Sequence, residues 1–222
     1  MDSLFAKNEK HPDVIEYFKP DDRPYGLTFG QWTVKWWQWL LSIPKNDNPA
    51  MDNSGVHGSE SQANENVWFL AGTFVTNSQL TRRTVAIPSG RAILFPTICY
   101  ECNFLEDPIF LNGHELKAHV TKDIDDIIES QASVNGIDVQ AFRVGSEPTL
   151  FPVNISKDIP HGVNGVDSGN VVGPGGATQS VSDGYWVFLK PISVGLHKIH
   201  FKGSCSAGTR RTEAFYDVLI FN

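Results

Sequence analysis

The sequence is sparing with the residues that mark several protein classes. It has three cysteines, an odd count that rules out a closed disulfide framework within one chain. Its first residues, Met1-Asp2-Ser3-Leu4-Phe5, run into charged positions without the apolar core of a signal peptide. No apolar run approaches the ~20 residues of a membrane-spanning helix. These shortages together predict a reducing, cytoplasmic setting and no membrane span. Basic residues are also scarce, 18 against 25 acidic ones for a net charge of −7. Arg82-Arg83 and Arg210-Arg211 are isolated pairs, so there is no basic face to hold nucleic acid.

Several catalytic and metal motifs are missing as well. Gly173-Pro174-Gly175-Gly176-Ala177-Thr178 lacks the lysine of a phosphate-binding loop. No G-x-S-x-G elbow occurs, and Asp47, Asp52 and Asn53 miss the EF-hand spacing. Cys99-Tyr100-Glu101-Cys102 is a single C-x-x-C with no second pair to complete a zinc site. In a strand its two cysteines point to opposite faces.

What the chain does have is a strong helix followed by many strands. Residues 1–27, punctuated by Pro12, Pro20 and Pro24, read as an extended arm, and 28–222 as one domain. Thr28-Phe29-Gly30-Gln31 matches a capping box, with Leu27 and Trp32 placed as a hydrophobic staple, and Pro44 closes a helix over 28–43. Phe29, Trp32, Trp36, Trp39, Leu40 and Ile43 form one stripe, widened by Val34, Trp37 and Leu41. A helix apolar over so much of its circumference is buried on more than one side. Completing a β core is its simplest use, and a homo-oligomer interface or an aromatic ligand groove are the alternatives.

Val67–Val75 reads as a central strand, Arg82–Ile87 as an alternating one before the Pro88-Ser89-Gly90 turn, and Arg91–Cys102 as a long strand. Pro96 implies a bulge or an edge in it. Leu116–Val120 is expected as a strand and Asp123–Ser130 as a short helix capped by Thr121. Asn135-Gly136 is a hairpin turn joining Ala132–Val134 to Ile137–Val144. Tyr185–Leu189, His197–Phe201 and Phe215–Phe221 complete the strands. Asn154 to Gly184 reads as a long Gly-rich loop, of the kind that is either a functional lid or simply mobile. The fold class expected is all-β, a mainly antiparallel sandwich of jelly-roll type with the N-terminal helix and one short extra helix.

Glu101 is the first candidate site residue. Alternation puts it on one face with Ile93, Phe95, Thr97 and Cys99, so a carboxylate emerges where a core-facing strand ends. A partly buried carboxylate needs a partner or a raised pKa; the plainer alternative is that Glu101 merely reaches solvent at the strand end. His197 shares a face with Ile199 and Phe201 and is expected inward, with His200 outward; a hydrogen-bonded core histidine is the plainer alternative. His161, with Asp158 and Asp167, lies in the Gly-rich loop, which either closes over a site and completes it or is simply solvated.

The segments Trp32-x3-Trp36-Trp37-x-Trp39, Val67-Trp68-Phe69-Leu70-Ala71-Gly72-Thr73-Phe74, Ala92-Ile93-Leu94-Phe95-Pro96 leading to Glu101-Cys102, and Asp183-Gly184-Tyr185-Trp186-x-Phe188-Leu189-Lys190-Pro191 form a recognisable order. With Gly195-x-His197-x-Ile199-x-Phe201, it resembles a group of uncharacterised bacterial and archaeal proteins. The resemblance covers most of residues 25–221 and implies shared architecture without an activity. Members of that group look exported, in tension with the cytoplasmic expectation.

Three functions follow as expectations. The first is a small-ligand or ion-binding module, its pocket built from Glu101, Trp186, His197 and Asp167 beneath the 154–184 loop. The second is a hydrolase or lyase with Glu101 or His161 as catalytic base and a divalent metal on Glu101 and His197. The third is an assembly protein that forms homo-oligomers through the Trp-rich helix.

Overall fold

The computed structural model describes residues 15–73, 81–159, 175–206 and 211–222. Residues 15–28 run as an arm against the sheet: Tyr17 bridges Leu189, and Phe18 N–H donates to Phe188 O at 2.8 Å. Helix α1 spans Phe29–Ser42 with the full capping box, Thr28 accepting from Gln31 N–H while the Gln31 side chain accepts from Thr28 N–H. Strands follow as β1 (Val67–Phe69), β2 (Thr81–Pro88) and β3 (Ala92–Asn103). Helix α2 covers Gly113–Asp125. Next come β4 (Ile127–Val134), β5 (Ile137–Val139), β6 (Phe142–Arg143), β7 (Phe151–Ile155), β8 (Gly176–Leu189), β9 (Gly195–Cys205) and β10 (Arg211–Phe221).

Two five-stranded sheets form a sandwich. One runs β1-β3-β8-β6 with β7 on the same edge of β8 as β6; the other runs β2-β10-β9-β4-β5. Most ladders are antiparallel as expected, but β1 pairs β3 and β10 pairs β2 in parallel, so both sheets are mixed. Trp68, Leu70, Ile93, Phe95, Val187, Ile199, Phe201 and Tyr216 fill the space between the sheets. The outer face of the first sheet is covered by α1, through Phe29, Trp32, Trp36, Trp37, Trp39, Phe151 and Trp186. Beyond the second sheet's reach, α2 covers β3 and β8 with Leu116 and Val120 against Cys102 and Val181.

Four expectations change. Val67–Phe69 forms an edge strand, though Val67 to Ala71 are all buried, because neighbouring loops and α1 cover the edge. Leu116–Val120 is helical: Leu116, Val120 and Ile124 sit four apart on one buried face, and Asn112 accepts from the N–H groups of His114 and Glu115. The stretch expected as helix from Asp123 instead ends α2 and enters β4. The 154–184 segment is not one long loop, since β7 reaches Ile155 and β8 starts at Gly176.

The hairpin turn stands as expected, but the Ile137–Val144 strand is split: β5 pairs with β4, and β6 crosses to pair with β8 in the other sheet. Asn135 and Gly136 have φ of 54° and 81°, and Val134 faces Ile137 across the turn. Pro96 also marks a register shift against β8 between Pro96 and Ile98, and that bulge rearranges everything after it.

Candidate functional site

The bulge changes which face Glu101 occupies. Ile93 and Phe95 point between the sheets, but past Ile98 the phase slips, and Cys99 packs against the α1-side cluster. Glu101 therefore shares Cys99's face, as alternation predicts, but not that of Ile93 and Phe95. Cys102 points the other way, under α2. The two cysteines of the C-x-x-C thus diverge, and neither they nor Cys205 form a disulfide.

On the Glu101 face the two strands bring polar groups together. In the β3–β8 register Glu101 faces Ser182, and Asn103 faces Ser180. Directly opposed residues of an antiparallel pair project side by side. Ser180 Oγ donates to Glu101 Oε1 in a very short hydrogen bond, and Asn103 Nδ2 donates to the same oxygen at 3.1 Å. Among the described residues no hydrogen bond goes to Oε2. Ser182 is fully buried, and its Oγ has no hydrogen-bond partner among the described residues. Asn103 also shapes the turn after β3, its Oδ1 accepting from the N–H groups of Leu105 and Glu106. That turn places Glu106 and Asp107 beside Glu101, and Cys102 Sγ donates to Asp107 Oδ2 at 3.0 Å.

Burial first, then the negative charge of Glu106, push the Glu101 carboxyl up to about 8; the hydrogen bonds from Ser180 and Asn103 pull against this without cancelling it. The same surroundings raise the thiols. Cys99 is raised by burial and by Glu101, and Cys102 by burial and by Asp107. Both are inert thiols at neutral pH. Glu101 is then a neutral acid near pH 7, with Oε1 accepting twice.

His197 and Trp186 do not join it. His197 is inward and buried, but its Nδ1 lies 3.0 Å from Asn135 Nδ2 and its Nε2 2.8 Å from Ser193 O. It braces the hairpin and the β9 start. Gly203 of β9 lies under Ile98, and His197 is six residues farther along the strand, roughly 20 Å away at ~3.3 Å per residue. His200 points outward, paired with Glu213 at 3.0 Å and stacked on Phe215. Trp186 is fully buried under α1, its ring centroid 5.2 Å from that of Trp36. His161 and Asp167 lie outside the described residues. Among the described residues no group of three His, Cys, Asp or Glu side chains is close enough to hold a metal ion, so the Glu101–His197 metal pair is not assembled.

The helix, in turn, is occupied by its own chain. Phe29, Trp32, Trp36, Trp37, Trp39, Leu40 and Leu41 are all buried. Trp32, Trp36 and Trp39 donate their indole N–H groups to Pro24 O, Leu70 O and Glu60 O. Sequence reasoning missed Ser180, Ser182 and Asn103. Their signal was the two-residue period of Ser180-Val181-Ser182, which extends β8 toward its N-terminus.

No protein-family model matches this chain, and no curated protein matches it. A chain from the structure of PbICP-C in complex with falcipain-2 superposes over 70% of this chain and 99% of its own, at 9% identity and a TM-score of 0.26. Among the described residues no helix is long and apolar enough to cross a membrane.

Proposed function

We propose that the protein binds a small polar ligand at the open end of the β3–β8 ladder, with Glu101 as the central recognition group. One observation carries this reading. A carboxyl with a pKa near 8 is held by Ser180 and Asn103 through a single oxygen, and among the described residues no hydrogen bond goes to the other. A fixed neutral acid both donates and accepts, which suits a polar ligand and also proton transfer. Binding is the reading with the most support. A hydrolytic or lyase role keeps Glu101 as general acid but has no second assembled catalytic group among the described residues. A jelly-roll description of the sandwich belongs with these proposals, as does homo-oligomer formation.

The test is a ligand-observed NMR screen of small polar compounds at pH 7 against the wild-type protein and Glu101→Gln, which keeps the shape and removes the titrating proton. Hits that weaken at least tenfold in the variant support the reading. A screen in which every hit binds both proteins equally, or in which nothing binds the wild type, contradicts it.

A further inference from the structure

The second sheet turns its outer face away from α1, toward the opposite side of the sandwich. Helix α1 covers the first sheet, and α2 covers β3 and β8. At one end of the second sheet Leu196 is 79% exposed and Leu219 41%, and the two stand directly opposite each other on β9 and β10. Phe221, also 41% exposed, and the exposed Ala86 of β2, which faces Leu219, extend the patch. A contiguous apolar patch rimmed by polar residues marks an interaction site. The next rung holds Asp217 opposite Lys198, yet neither side chain makes an ion pair among the described residues.

The ladder continues with Phe215 opposite His200 and Glu213 opposite Lys202. Each rung thus matches apolar with apolar, acid with base, or ring with ring. A two-fold axis parallel to the strands, midway between β9 and β10, sets each β9 residue over its β10 counterpart in a second copy. An axis across the strands at the Phe215–His200 rung sets Asp217 on Glu213 and Lys198 on Lys202, like charge on like, and is disfavoured. Aligned sheets pack face to face about 10 Å apart. Strands β2, β10, β9 and β4 present roughly 600 Å² in projection, at ~4.8 Å between strands and ~3.3 Å per residue. Side chains roughen that face, so its accessible area is on the order of the ~800 Å² per partner of a stable interface.

We infer that this face is the interface of a homodimer. A second copy of the chain packs on it about the axis between β9 and β10, with Leu196 on Leu219 and Lys198 paired to Asp217 beside them. Lys202 and Glu213 already have partners within the chain, Glu129 at 2.5 Å and His200 at 3.0 Å. Asp217 and Lys198 therefore carry the new charge pairing, made twice across the axis. The inference is independent of the Glu101 ligand site.

Sedimentation equilibrium of the full chain tests it, over about 1 to 500 µM in ~0.15 M salt. The average mass should rise from about one chain toward two over that range. Asp217→Lys and Lys198→Asp each set like charges against one another across the axis. Each should weaken association at least about tenfold, with the far-UV circular dichroism of the wild type and a melting temperature within a few degrees of it. The double variant Asp217→Lys/Lys198→Asp restores opposite charges and should return the dissociation constant to within about threefold of wild type. A wild-type chain that stays monomeric throughout overturns the inference, and leaves the face to solvent or to a different protein. A dimer that both single variants leave intact overturns it as well, because the contact then lies elsewhere. Single variants that dissociate without rescue in the double variant overturn the pairing of Lys198 with Asp217, and with it this axis.

Discussion

A proton held by Glu101 in the folded state ties stability to pH, and the sign follows from the raised folded-state pKa. Unfolded, the carboxyl has its ordinary pKa near 4.5; folded, it is pushed up to about 8. Below pH 4.5 both states are protonated and the burial of the acid carries no ionisation cost. Between 4.5 and 8 the unfolded chain loses a proton that the folded one keeps, so this residue's contribution to stability falls as pH rises. A tenfold difference in proton affinity between the two states corresponds to about 1.4 kcal/mol. Glu101→Gln removes the ionisation. At pH 8 it should stabilise the protein by on the order of 2–4 kcal/mol, a difference that vanishes near pH 4.5. Denaturant melts of both proteins at pH 5 and pH 8 measure it. An equal effect at both pH values would mean that the carboxyl titrates normally.

Glu101 was legible as a candidate because it follows an apolar alternating strand. Its actual neighbours were not, for two physical reasons. A bulge or an edge at Pro96 was expected; the bulge that forms brings a phase reversal that a strict two-residue count does not contain. The serines that hold the carboxyl come from about 80 residues downstream, by the spacing of the Ser180–Glu101 bond. A single sequence does not display such pairing. His197 illustrates the opposite case: its inward orientation was legible, while the hydrogen bonds to Asn135 and Ser193 give it a structural role.

At the scale of elements, local chemistry explains what could be read. The α1 start is written in four consecutive residues, and Thr28 does two jobs there, accepting from Gln31 N–H and donating its hydroxyl to Glu147 at 2.6 Å. Thr28→Ala should cost about 1 kcal/mol through the lost cap, a drop of a few degrees in melting temperature, while Thr28→Ser should recover most of it. Helix α2 was hidden because Leu116, Ala118 and Val120 also alternate, and a short apolar alternation fits both periods. Asn112 with Glu115 three positions on was the overlooked start signal, and in the structure Glu115 reaches back to Leu111 N–H at 2.7 Å. Strand β8 was hidden by composition, since Gly, Ser, Thr and Asp resemble loop chemistry even where they line a ladder.

The whole molecule is held by pairings that no window of sequence reveals. Strands β2 and β10 lie more than a hundred residues apart and pair in parallel. Arg83 then links the two sheets from within. It is almost fully buried; Nη1 donates to Ala71 O at 2.6 Å, Gly72 O at 2.9 Å and Tyr216 Oη at 2.6 Å, and Nε donates to Asp52 O at 2.6 Å. The residues after β1 are thereby tied to β10 and to the loop before β1. Arg83→Ala takes the Arg83 donor from the carbonyls of Asp52 and Gly72 and one of two donors from Ala71 O and Tyr216 Oη, and leaves a cavity where the guanidinium was, so it should destabilise the fold by at least about 3 kcal/mol. Arg83→Lys should rescue only part of this, because an ammonium cannot span the same acceptors. Chemical denaturation of the two variants tests the ranking. Equal stability of alanine and lysine variants would argue against a geometric clamp.

These scales meet at the end of the β3–β8 ladder, where the bulge, the distant serines and the acidic turn converge on one carboxyl. The most direct test is a pH titration of the Glu101 side-chain carboxyl carbon by ¹³C NMR in the free protein, assigned by its absence in Glu101→Gln. Burial beside Glu106 and Asp107 predicts a midpoint near pH 8. A midpoint near 4.5 would show an ordinary ionised carboxylate and would contradict the account.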